Sequence, residues 1–186
     1  MMEKGGQAVA TQLISTTAAP DYRDESRYDR IDGQWVQRPV PNDHHSDVQF
    51  NIAVILKALA ASYEGMAVRQ EWSLAQPETV ESDDPNYMTP DVLVSLPGSS
   101  QRSKRGHLVP PALLAVEIAS PGQIDLIQKA QILYSWGVAH CWIINPETKS
   151  CLEYHGGDKL IIAGDVLHAN PLTLPVADIF RDCDGS

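Results

Sequence analysis

Three residues in this chain of 186 have the types and the order that hydrolysis of a phosphate ester would need: Asp91, Glu117 and Lys129. Glu117 interrupts Leu113-Leu-Ala-Val-Glu-Ile-Ala119, a run otherwise apolar enough for a strand buried on both faces. A carboxylate desolvated there is costly unless it is paired, hydrogen-bonded or bound to a metal. It is therefore either a glutamate satisfied by an arginine or a backbone amide, or a ligand. Asp91 follows Pro90, which lacks an N–H and suits a strand start. Alone, Pro-Asp reads equally as a turn. Paired strands lie about 4.8 Å apart, so carboxylates near the ends of two neighbours could share one cation. Hard Mg²⁺ or Mn²⁺ prefers oxygen ligands, keeps several waters, lowers the pKa of one and offsets charge at a scissile phosphate. A lysine adds a positive donor for the attacking water or the developing charge. Lys129 stands four residues after Asp125, which is also the spacing of a surface ion pair. The tight Ser120-Pro-Gly122 turn favours the site, because it can aim the next helix back over the Glu117 strand.

Other elements must hold these residues in place. Asp32-Gly33, between short apolar-bearing runs, predicts a tight hairpin within 28–39. A helix is expected from Asp43 to Tyr63, capped by Asn42 or Asp43, burying Val48, Ile52, Ile55, Leu59 and Tyr63 before Gly65. Met66 to Leu74 alternates as one strand, with Arg69, Glu71 and Ser73 on its polar face. Residues 76–88 read as a loop, and Asp91 to Leu96 as a second strand ending at Pro97-Gly98. The third strand is Leu113 to Ala119. A helix from Ile124 to Trp136 stops at Gly137, and strands follow at 140–144, 150–154 and 159–163. The LPVADIF segment predicts a short helix or turn packing Val176, Ile179 and Phe180 on the core. This order describes an α/β fold with a mixed sheet flanked by helices.

Composition bounds the rest. Hydrophobic residues at 43% and charged residues at 20% exclude a disordered or fibrous chain. Residues 1–20 carry no packing period and predict a flexible tail, leaving 21–186 as a single domain. No run approaches membrane-spanning or signal-peptide length. Cys141, Cys151 and Cys183 lack CxxC spacing, so no disulfide framework or zinc knuckle is expected, and a cytoplasmic location follows. His140-Cys141 lacks further soft ligands for zinc. The net charge of −10 argues against a non-specific duplex binder. Its distribution softens this: residues 97–111 carry a net +3, in a loop joining the Asp91 and Glu117 strands.

The ordered set Pro90-Asp91 and Glu117-Ile118-Ala119 resembles the PD-(D/E)XK nuclease superfamily. More narrowly, the chain resembles the Uma2 family of restriction-type endonucleases. The motifs are Ile31-Asp-Gly33, His44 before a helix, Thr89-Pro-Asp-Val92, Leu113 to Pro121, Asp125, Lys129, Gly137-Val138, and Trp142 before Asn145-Pro146. The resemblance implies a restriction-endonuclease-like fold and Mg²⁺- or Mn²⁺-dependent cleavage of DNA, with Asp91 and Glu117 as metal ligands. The superfamily's lysine two positions after the acid is Ala119 here; Lys129 matches the lysine that this family carries on the following helix. The same analogy implies a homodimer.

Accessory candidates are Glu71 as a further carboxylate, His44 and His45 as phosphate or water contacts, and Asp125 as a group orienting Lys129. Arg102, Lys104 and Arg105 are candidates for holding DNA phosphates, or else form a solvated loop tip. The four tryptophans read as core or interface. The expectation is therefore a DNA endonuclease. Its rivals are a non-catalytic nucleic-acid or protein-binding module on the same fold, and a hydrolase of small phosphate esters.

Overall fold

Asp32 (φ 50°) and Gly33 (φ 75°) place two successive residues in the left-handed region. That geometry closes the expected two-residue hairpin between β2 (Tyr28–Ile31) and β3 (Gln34–Gln37). The computed structural model describes residues 15–16, 20, 25–120, 125–157, 159–181 and 183. Within the stretch expected to be a tail, β1 (Ser15–Thr16) pairs with β3. The remainder of 1–19 lies outside the described residues, as do 121–124 of the expected Ser-Pro-Gly turn.

Helix α1 runs Asp43–Ala60, with the Asn42 side chain accepting from His45 N–H. It ends before the expected Tyr63, and Tyr63 N–H returns to Ala60. Val48, Ile52, Leu56 and Ala60 are its buried ridge, whereas Tyr63 is exposed. The alternating run 66–74 is broken in two: β4 (Ala67–Gln70) and β5 (Leu74–Ala75) belong to different sheets. The break is at Glu71, whose φ of 52° no strand residue adopts. Inside the expected loop 76–88, β6 (Tyr87–Met88) pairs with both β5 and β2.

β7 (Val92–Ser95) and β8 (Ala112–Ile118) pair antiparallel, and every residue of both is buried. α2 (Leu126–Ser135) then leads to β9 (Val138–Asn145), which runs parallel to β8. β10 (Ser150–Tyr154) and β11 (Leu160–Ile162) complete a six-stranded sheet in the order β11-β10-β9-β8-β7-β4. A hairpin not expected from the sequence, β12 (Val166–Ala169) and β13 (Leu172–Pro175), precedes the short α3 (Val176–Ile179).

The sheet separates two apolar layers. On one face α1, β12, β13 and α3 pack Ile52, Leu56, Leu167 and Ile179 against Val116 and Trp142. On the other, α2 sets Ala130 and Leu133 against Leu93, Ala115 and Ile143. Side chains alternate between these faces along β8, so Glu117 falls on the α2 side. Cys141, Cys151 and Cys183 are buried, and burial pushes the Cys151 pKa up to about 12. Among the described residues no helix is long and apolar enough to cross a membrane.

Candidate active site

The register of β7 on β8 sets Val92 against Val116. Continuing that ladder brings Asp91 beside Glu117 at the edge of the buried sheet, as the two carboxylates require. Asp91 Oδ2 accepts from the Ile118 N–H at 2.7 Å. Asp91 Oδ1 lies 3.3 Å from His45 Nε2 and 3.9 Å from an Arg38 Nη. Glu117 is 1% exposed. Its Oε2 meets Lys129 Nζ at 2.9 Å, a charge contact without hydrogen-bond alignment, and its Oε1 has no hydrogen-bond partner among the described residues.

α2 carries Lys129 over the end of β8. Asp125 caps the helix, accepting from Gln128 N–H at 2.9 Å while its own backbone is left-handed (φ 45°). Lys129 Nζ reaches three oxygens: Glu117 Oε2, Asp29 Oδ2 at 3.3 Å and the Thr89 carbonyl at 3.2 Å. Asp29, on β2, also accepts the Thr89 N–H at 2.7 Å. Sequence reading passed over this buried aspartate, one of two adjacent charges in Tyr28-Asp-Arg-Ile31, where no alternation marks the buried side.

A second ring of polar contacts steadies Asp91. His45 Nδ1 pairs with Ser120 Oγ at 2.9 Å, so the imidazole is held at both nitrogens. Gln49, one turn further along α1, donates to the Asp91 carbonyl and to Glu71 Oε1, both at 2.9 Å. The other Glu71 oxygen pairs with Arg38. Arg38 was also missed; it follows β3 in a segment read only as a hairpin end.

These groups share a cavity of about 320 Å³, whose lining includes Arg27, Arg38, His45, Glu71, Asp91, Glu117 and Lys129. Burial, opposed by Lys129 and reinforced by Asp91, pushes the Glu117 pKa up to about 8. Burial works against charge on Lys129 as well, yet Asp29 and Glu117 outweigh it and raise its pKa. Because Asp29 is a separate partner, the ammonium keeps a counter-charge whether or not Glu117 is ionised. Arg38 is raised too, with Glu71 and Asp29 overcoming burial.

Other candidates fall elsewhere. His44 is exposed, and its neighbour His45 takes the inward position. Asp125 serves as the α2 cap, and its side-chain bond goes to Gln128 N–H, not to Lys129. Arg102 stacks over Trp72, Lys104 pairs with Asp83, and Arg105 pairs with Glu25 and Asp84. None of these three is among the described residues lining the cavity. Among the described residues, no three His, Cys, Asp or Glu side chains form a metal-holding group by themselves. A two-carboxylate site completed by water remains compatible with Mg²⁺, which commonly takes one or two carboxylates. The unbonded Glu117 oxygen fits that donor set.

A match to the Uma2 family, described as putative restriction endonucleases, spans residues 17–180. The chain belongs to the Uma2 family. The Uma2 match begins within the segment expected to be a tail and ends at Phe180, just after α3, so it takes in every element of the site. The Uma2 chain is also similar in fold to a crystal structure of a putative nuclease belonging to DUF820 from Anabaena variabilis. The TM-score is 0.67 and the identity 19%, over 82% of this chain and 89% of that one. No curated protein matches the Uma2 chain.

Proposed function

We propose that this protein is a divalent-metal-dependent endonuclease that hydrolyses DNA phosphodiester bonds, with Mg²⁺ or Mn²⁺ held by Asp91 and Glu117. One observation carries the reading: the deeply buried Glu117 carboxylate, with one oxygen unbonded, lies beside Asp91 and under Lys129 in a single cavity. A purely structural glutamate at that depth would be expected to have both oxygens satisfied. Family membership supports the same chemistry, since restriction-endonuclease-like families generally use divalent metals.

When bound, the ion would supply a water of lowered pKa and offset charge on the phosphate. Asp91 enters this role oriented, because the Ile118 N–H and His45 occupy fixed positions on its two oxygens. Glu117 offers Oε1 directly. Lys129, steadied by Asp29 and the Thr89 carbonyl, presents a permanent ammonium to a phosphate oxygen or to the attacking water. Arg38 adds a second cation on the cavity wall. An ion bound at these acids would offset their charge toward the DNA backbone, so strand binding is expected to depend on it.

Calorimetry with Mg²⁺ and Mn²⁺ on the native chain, D91A and E117A tests this directly, together with DNA cleavage under the same conditions. Binding and cleavage are expected in the native chain and lost in both variants. A native chain that binds neither ion, with variants at least as stable, would sink the nuclease reading.

A further inference from the structure

Trp72 carries two arginines. Arg69 lies on β4, and its guanidinium carbon is 4.7 Å from the centre of the Trp72 ring. Arg102 comes from the basic loop 97–111 and sits over the same ring, also at 4.7 Å. The loop is stitched in place. Arg102 bridges Leu108, whose N–H donates to the Ser73 carbonyl at 2.9 Å and whose carbonyl accepts the Ala75 N–H at 2.8 Å. Two segments far apart in sequence thus deliver one cation each to one indole.

The two charges stand at most twice 4.7 Å apart, comparable with the Debye length of about 8–10 Å, so salt leaves much of their repulsion in force. Arg30, Arg38, Arg105 and Arg181 each hold a carboxylate. Arg69 and Arg102 are exposed, and neither has an acidic partner among the described residues. In a chain of net charge −10, a pair of like charges kept together without an acid is a place for an anion from outside. An indole face attracts a guanidinium but does not neutralise it. Stacking fixes the guanidinium plane and leaves free the N–H edge that grips a phosphate through two parallel bonds.

The pair is also placed for a strand that reaches the acids. Arg69 is opposite Leu93 in the β4–β7 ladder, and alternation keeps Leu93 and Asp91 on one face of the sheet. Trp72 directly follows Glu71, which lines the cavity and is itself held by Arg38 and Gln49. β4 is the last strand of its sheet, so DNA leaving the cavity can continue over that edge.

We propose that Arg69, Trp72 and Arg102 form a phosphate-binding site that holds the DNA backbone beside Asp91 and Glu117, one phosphate to each guanidinium. The proposal deepens the nuclease reading and takes the identity of the strand from it. The test is fluorescence anisotropy of a labelled single strand and a labelled duplex, with Mg²⁺ and with Mn²⁺, across a salt series. The same DNA is then run on a gel to count cuts. R69A/R102A is compared with K57A/K159A, which removes two exposed and unpaired charges elsewhere. Loss of two phosphate contacts should flatten the log–log salt slope by about 1.4 on the single strand and about 1.8 on the duplex. K57A/K159A should keep the native slope. R69K/R102K, which keeps the charges without the planar forks, should hold the slope and bind more weakly. Where DNA is cut, the loss in R69A/R102A should fall on KM more than on kcat. A native slope in R69A/R102A, or an equal flattening in K57A/K159A, would overturn the proposal, as would a native chain that binds neither DNA. If no DNA is cut but R69A/R102A alone flattens the slope, the nuclease reading fails and the phosphate site stands.

Discussion

Lys129 sits among three oxygens and is only 15% exposed, so in the metal-free protein it acts as the cation of the cluster. Replacing it with Met leaves Asp29 without its ion-pair partner and Glu117 without the cation that opposes its burial. The loss should be about 3–5 kcal/mol, the usual cost of breaking a buried pair from one side, and is measurable by urea unfolding. Glu117 gives a pH signature. Its pKa rises from 4.5 in the unfolded chain to about 8 in the fold, so between these values the folded state holds a proton that the unfolded state has released. Its contribution is therefore complete below about 4.5 and lost as pH rises through about 8. Metal-free E117Q should lack that slope when unfolding is followed across the same range. Glu117 was legible because one charge in a seven-residue apolar strand has few explanations. Asp29 was not, because in a ribbon of mixed polarity the buried side is decided by β6 and by Lys129, which reach it from elsewhere in the chain.

Helices deliver the polar groups and the sheet fixes the acids. Along α1, Asn42, His45 and Gln49 follow one ridge toward the site while Val48, Ile52 and Leu56 follow another into the core. At α2 the question is what Asp125 does. Its geometry is that of a cap, so D125A should cost about 1 kcal/mol, while D125N keeps both the acceptor and the tolerance of a left-handed backbone and should be close to neutral in stability and activity. A large loss of activity in a stable D125N would show that its charge acts on Lys129 instead. The legible elements were those with a period and a stop: α1, α2, β8 and the Asp32-Gly33 hairpin. The division of 66–74 was not, because alternation continues through Glu71 and only the positive φ there reveals that the chain changes sheets. The β12–β13 hairpin did carry a signal, Leu167 and Ala169 alternating toward Leu172 and Leu174 around Asn170-Pro171, but its shortness concealed it.

The net charge of −10 acts on the molecule as a whole. An ion that binds only the folded state should stabilise it, by about 2.7 kcal/mol at one hundred times its dissociation constant, and raise Tm in the native chain but not in D91A. In the exposed basic loop Lys104 and Arg105 are paired with acidic side chains, and neither they nor Arg102 line the cavity, as Arg38 does. R38A should therefore weaken strand binding more than the triple change R102A, K104A and R105A, as read by fluorescence anisotropy across a salt series. The β2–β3 hairpin bears on all of this. Its register puts Asp29 against Lys129, and shifting β2 by one residue would bring Tyr28 or Arg30 toward that place. Arg30 would set one cation against another, and Tyr28 would leave the ammonium without its carboxylate. The ion pair thus works as an error check on strand alignment: a ribbon that pairs out of step is penalised at the candidate site itself.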